Sequence, residues 1–154
     1  MIWAYEARLK VPLEKALQLI RQAAPRTVAI IIRPELGSPE LLKFSRELTL
    51  KAFAQGAAVA HSAQLEWMRI LAAEGNVSKA VEKVAPAGNE CVIASDCELA
   101  SSLREAIGIV GEVSPCAKSD EKFISDFYKI KEEALRDYSV IDIACEKIAV
   151  EAGG

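Results

Sequence analysis

The sequence predicts a single α/β (α+β) domain: one mixed β-sheet packed with helices and ending in a helical C-terminus. Three observations predict it. Short apolar, β-branched runs alternate with stretches of helical spacing over most of the chain. The 154 residues are the size of one domain and suffice for one core without disulfide or metal staples. Paired helical stretches in the middle and at the end break the alternation that a strictly doubly wound parallel sheet needs. No repeat, low-complexity tract or linker divides the chain, so residues 1–150 are expected to form the domain and residues 151–154 a flexible tail.

The elements follow in order. Residues 2–9 alternate, with Trp3, Tyr5, Ala7 and Leu9 on one side, which predicts a half-buried strand. Pro12 opens a helix on which Leu13, Ala16, Leu17, Ile20 and Ala24 recur, and Pro25 ends it. Residues 28–32 are apolar without alternation and read as a central strand. After a loop at 33–37, Ser38, Pro39 and Glu40 supply an N-cap, a proline at N1 and a first-turn acid. That helix buries Leu41, Phe44, Leu48 and Ala52 and closes at Gly56, while Lys43 and Arg46 fall off the stripe as a solvated basic face. Residues 57–60 read as a short strand or extended segment. Ser62 caps a helix with Leu65, Met68, Leu71 and Ala72, stopped by Gly75. A short helix carries Val77, Ala80, Val81 and Val84 and ends at Pro86. Beyond a turn at 87–89, residues 91–94 form a strand, and Ser95 and Asp96 cap a helix with Leu99, Leu103, Ala106 and Ile107 before Gly108. Residues 109–113 form a strand and 114–118 a loop. Ser119 opens a long helix with Phe123, Phe127, Ile130 and Ala134, and a last helix follows a break at Tyr138 and Ser139.

Composition narrows the function classes. A net charge of −3 excludes a globally basic nucleic-acid binder, so RNA contact needs a local patch. The longest apolar run, residues 28–32, is far short of the roughly 20 residues of a membrane span, and no signal-peptide pattern opens the chain. The cytoplasm is therefore the expected location, with no membrane partner.

Catalytic parts are scarce. The cysteines, Cys91, Cys97, Cys116 and Cys145, form no C-x-x-C pair and no zinc spacing, and Cys91 and Cys145 read as small core hydrophobes. The lone histidine, His61, adjoins Ser62 in a way that does not suit a nucleophile triad. No glycine-rich phosphate loop is present, and Glu132, Glu133 and Glu146 read as solvated. No catalytic residue, metal or cofactor is expected. Two readings of other classes stay open: a small thiol/His-dependent enzyme using His61, and a stand-alone oligomeric small-molecule binding domain. The last helix is more informative. Ile141, Ala144, Cys145, Ile148 and Ala149 make one face, expected to pack on the sheet, while Val140, Ile143 and Val150, with Lys147, make a second apolar strip suited to a partner.

Two stretches carry a resemblance. The first is Ala60-His61-Ser62-Ala63-Gln64-Leu65-Glu66-Trp67-Met68-Arg69-Ile70-Leu71, followed by a bend and Ala80-Val81-Glu82-Lys83-Val84. The second is Phe123-Ile124-Ser125-Asp126-Phe127-Tyr128-Lys129-Ile130 with Val140 through Glu146-Lys147-Ile148-Ala149. Both resemble the small kinase-regulating subunit of the KEOPS (EKC) complex, the PRPK-binding protein family. The basic helix with Lys43, Arg46 and Lys51 stands in the expected order upstream.

The resemblance implies a non-catalytic regulatory subunit. It would bind the N-lobe of the atypical kinase/ATPase of a complex that makes N6-threonylcarbamoyladenosine in tRNA. Archaeal members are also implicated in holding the tRNA 3′ CCA end. The kinase contact is expected at Val140, Ile143, Lys147 and Val150. Contact with tRNA is expected at Lys43, Arg46, Lys51, His61, Ser62, Gln64 and Arg69, with Trp67 and Met68 in the core. One departure stands out. The family's Ser-Gly-x-Arg-Gln-Ile-like bend is here Glu74-Gly75-Asn76-Val77, without the Arg-Gln, so the resemblance carries the kinase role further than the RNA role.

Overall fold

The computed structural model describes residues 1–114 and 120–153. The strands are β1 (Trp3–Arg8), β2 (Ala29–Ile32), β3 (Glu90–Ser95) and β4 (Ile109–Glu112). The helices are α1 (Leu13–Ala23), α2 (Pro39–Ala54), α3 (Ala63–Leu71), α4 (Val77–Val84), α5 (Ser101–Ile107), α6 (Glu121–Phe127) and α7 (Val140–Gly153). Short 3₁₀ turns cover Pro34–Leu36 and Glu132–Arg136. No helix among the described residues is long and apolar enough to cross a membrane.

The sheet order is β2-β3-β1-β4, and every pairing is antiparallel where a mixed sheet was expected. The reason is topological. The unit β1-α1-β2 is split by β3, and β3-α5-β4 is split by β1, so no two strands joined by a crossover are neighbours. This is the β-α-β-β-α-β order of a ferredoxin-like unit, with α2, α3 and α4 inserted between its halves. Tyr5, Ala7, Ile31 and Ile93 face one core with Ala16 and Ile20 of α1 and Leu103 and Ile107 of α5. Ile30, Ile32, Val92 and Ala94 face a larger core built by α2, α3, α4, α6 and α7. Two covered faces explain why the edge strand β2 is buried at all four residues.

Gly108 makes the sharp passage from α5 into β4. Its φ is +104, and a Cβ there would lie 2.2 Å from the Arg8 carbonyl oxygen. In β4, Ile109 pairs with Ala7 and Gly111 with Glu6, leaving Val110 as the extra, exposed residue of a bulge.

Several boundaries differ from expectation. Residues 57–60 form no strand, because the Val59 N–H donates to a Glu66 carboxylate at 2.7 Å rather than to a neighbouring strand. Ser95 and Asp96 cap no helix. Ser95 Oγ bonds both the N–H and the C=O of Cys97, Asp96 is held by Val28 and Arg46, and α5 begins only at Ser101. α3 ends at Leu71, well before Gly75. The long helix expected from Ser119 is instead the short α6 and a 3₁₀ turn, with Asp120 accepting from the Phe123 N–H at 3.1 Å. Ser119 itself and the loop residues 115–118, including Cys116, lie outside the described residues. α7 packs on α2, α6 and α3 rather than on the sheet, and it runs through the expected tail to Gly153.

Candidate functional site

α3 begins and ends with features that position its neighbours. Ser62 Oγ accepts the Leu65 N–H at 3.2 Å, the cap its sequence predicts. Trp67 and Met68 enter the core, and Trp67 Nε1 donates to Ser45 Oγ at 2.9 Å, fixing α3 against α2. Ser45 in turn donates to the Leu41 carbonyl at 2.7 Å, so the buried hydroxyl is satisfied on both sides.

The seven residues expected at RNA do not gather into one patch. Arg46 is only 7% exposed: it donates to Asp96 at 2.9 Å, and its guanidinium lies 5.5 Å from the centre of the Trp67 ring. Arg69 is 3% exposed and paired with Glu66, which is fully buried. These two cations are internal ties rather than a basic face. α2 is buried over a wider arc than its apolar stripe because α3 and α7 both pack on it. Lys43 and Lys51 do face solvent, with the exposed Glu47 one turn from each. His61 and Ser62 are exposed before α3, and Gln64 accepts from Arg21 Nη2 at 2.8 Å.

The four residues expected at the kinase divide as well. Val140 and Ile143 are buried in the larger core, Ile143 at 8% exposure, so they are not a free apolar strip. Val150 is 70% exposed and Lys147 is exposed. Both line a cleft of about 750 Å³ between the ends of α3 and α6, α4 and the last turns of α7. Phe127, Ile130 and Ile143 give it an apolar floor, and Tyr138 stands exposed at its rim.

The charges around the cleft are unevenly placed. Lys83 is bound to Glu74 at 2.8 Å, and that bond holds the Glu74 carboxyl below its usual range. Lys129 and Lys131, after α6, form one basic wall, while Glu146, Lys147 and Glu151 of α7 form a mixed one. The sequence reading assigned no contact to Lys129, Lys131 or Tyr138: the two lysines fall in a segment that reads as continuous helix, and Tyr138 reads as the break that ends it.

Cys91 and Cys145 give a nucleophile little support. Burial pushes both Cys91 and Cys145 up to about 11, which keeps them protonated at neutral pH. They also belong to opposite faces of the sheet, Cys91 among the α1 and α5 contacts and Cys145 on α7. Glu132, Glu133 and Glu146 are exposed, as expected of solvated acids. No protein-family model matches the chain, and no curated protein matches it either.

Proposed function

We propose that this protein is a non-catalytic adaptor of the KEOPS type, acting in the cytoplasm, which binds and regulates the complex's atypical kinase/ATPase in N6-threonylcarbamoyladenosine modification of tRNA. One observation carries the reading. The two stretches that resemble the family lie against each other: the Tyr128 hydroxyl in the second donates to the Leu71 carbonyl in the first. The cleft lies where they meet, lined by Ala72 and Ala73 just after the first and by Phe127 through Ile130 and Lys147 of the second, with Val150 one residue beyond it. In this reading Lys147 and Val150 touch the kinase, with Tyr138 beside them, and Val140 and Ile143 hold α7 in place from beneath. A tRNA contact rests on fewer groups than the sequence suggests, namely Lys43, Lys51, His61, Ser62 and Gln64.

The test is co-purification of the full chain with the kinase subunit, for the wild type and for Val150→Glu with Lys147→Glu. The wild type should bind and the double variant should lose binding without losing its fold. A wild-type chain that does not bind the kinase refutes the proposal.

A further inference from the structure

The outward face of α2 carries groups that a single copy of the chain leaves unmatched. α3 and α7 pack against other sides of this helix. Lys43, Glu47, Leu50 and Ala54 follow one another along the open side at helical spacing, all exposed, with exposed Lys51 beside them. Leu50 is 55% exposed, and Phe53 is a second large hydrophobe in water. Val59, in the loop that follows the helix, is a third. Single exposed hydrophobes need no account, but here they collect at one end of one helix and in the loop after it. Glu47 and Lys51 stand one turn apart, yet among the described residues neither forms an ion pair.

The pattern is complementary to itself. In an antiparallel pair of α2 helices with a twofold axis at the level of Thr49, Glu47 of each copy stands level with Lys51 of the other. The two Leu50 side chains then lie within about 3 Å of the same level. Glu47 and Lys51 also fall on the same side of Leu50 around the helix, as a twofold pair requires. Other registers lose this match. An axis at Glu47 sets that carboxylate against its own copy and Lys43 against Lys51. An axis at Ser45 pairs Lys43 with Glu47 but sets Leu50 against Glu40.

We propose that this face of α2 is a homodimer interface, with Leu50 at its centre and two Glu47–Lys51 ion pairs crossing it. One pair of helices is small against the roughly 800 Å² per partner of a standard interface, so the dimer forms only at about 10–100 µM. No α2 residue lines the cleft, so the proposal stands apart from the kinase-adaptor reading. The dimer does occupy Lys51, one of the cations available to tRNA.

Sedimentation equilibrium of the full chain between about 1 and 500 µM tests it, and the wild type should pass from monomer to dimer across that range. Glu47→Lys and Lys51→Glu, each alone, should raise the dimer Kd at least about tenfold, because each sets like charges opposite one another. Mixed together, the two variants should associate at about the wild-type concentration, since a face with two lysines at these levels then meets one with two glutamates. No effect within one helix imitates that rescue. Leu50→Asp should stay monomeric while melting as the wild type does, because the position is in water. A wild type that is still monomeric at about 500 µM overturns the proposal. A dimer that ignores the charge reversals, or a mixture that does not associate, overturns it too by placing the contact elsewhere. Kinase binding is not read in this experiment, so none of its outcomes bears on the adaptor reading.

Discussion

Arg46 of α2 donates to Asp96 at the end of β3 across 2.9 Å, and the other Asp96 oxygen accepts the Val28 N–H at 3.0 Å. One carboxylate thus ties the inserted helices to the two strands that flank the insertion. The buried Arg46 Nε and Nη1 have no hydrogen-bond partner among the described residues, so Asp96 supplies the main compensation for that charge. Asp96→Asn should cost about 3 kcal/mol, because it leaves a cation in the interior without an anion. Arg46→Met, which keeps the stem over Trp67, should cost less. Urea unfolding midpoints check the order, and a neutral Asp96→Asn would refute the account.

The Glu66–Arg69 pair acts within one helix but secures both of its ends. Glu66 receives the Val59 N–H ahead of α3, and Arg69 Nη1 donates to the Glu74 carbonyl behind it at 3.3 Å. Glu66→Gln should destabilise by about 3–5 kcal/mol, since Arg69, almost fully buried, loses the one carboxylate it pairs with among the described residues. The double variant Glu66→Gln with Arg69→Met should recover part of that loss. A double-mutant cycle with no coupling would show that the two groups do not act as a pair.

How far the sequence could be read depended on whether a residue's neighbours were local. The Ser38 and Ser62 caps, the apolar run of β2 and the amphipathic α4 were legible because capping and periodicity act within a few residues. Arg46 was misplaced because its partner Asp96 lies fifty positions away, and Arg69 because packing buries it, although its partner Glu66 is only three positions away on the same helix. The helix ends at Ala73 and Lys129 were invisible because neither carries the glycine that marks such a turn. The cleft was half legible. Lys147 and Val150 were named, but the segment after α6 was read as helix, which hid the opposite wall.

Ile143 and Val150 lie on one helix and should respond in opposite ways. A charge at Ile143 enters the core with no partner, so Ile143→Asp should cost more than about 4 kcal/mol and abolish cooperative unfolding. Val150→Asp stays in water and should shift stability by less than about 0.5 kcal/mol. Circular dichroism melts separate the two. A cooperative, wild-type-like melt for Ile143→Asp would return Ile143 to the surface strip that the sequence suggested.

The Cys91 and Cys145 thiols, one buried and one partly buried, set a limit to stability at high pH. Burial is the first cause raising Cys91 and Cys145 to about 11, and Glu40 and Asp142 add to it at Cys145. The unfolded chain gives up these protons nearer the ordinary cysteine value, so it binds fewer of them than the native state in between. Their contribution is therefore complete below about pH 8.5 and is lost as the pH rises through about 11. Stability should fall across that window, and Cys145→Ala should flatten the fall. Reactivity gives an independent check. Cys97 is exposed, so at pH 8 a soluble disulfide reagent should label it ahead of Cys91 and Cys145. Cys91 and Cys145 should lag, because burial raises their thiols to about 11 and leaves little thiolate at that pH. Peptide mapping by mass spectrometry assigns each rate to its cysteine. Labelling of Cys145 as fast as Cys97 in the folded protein would mean that α7 opens from α2 and α6 far more readily than its packing allows.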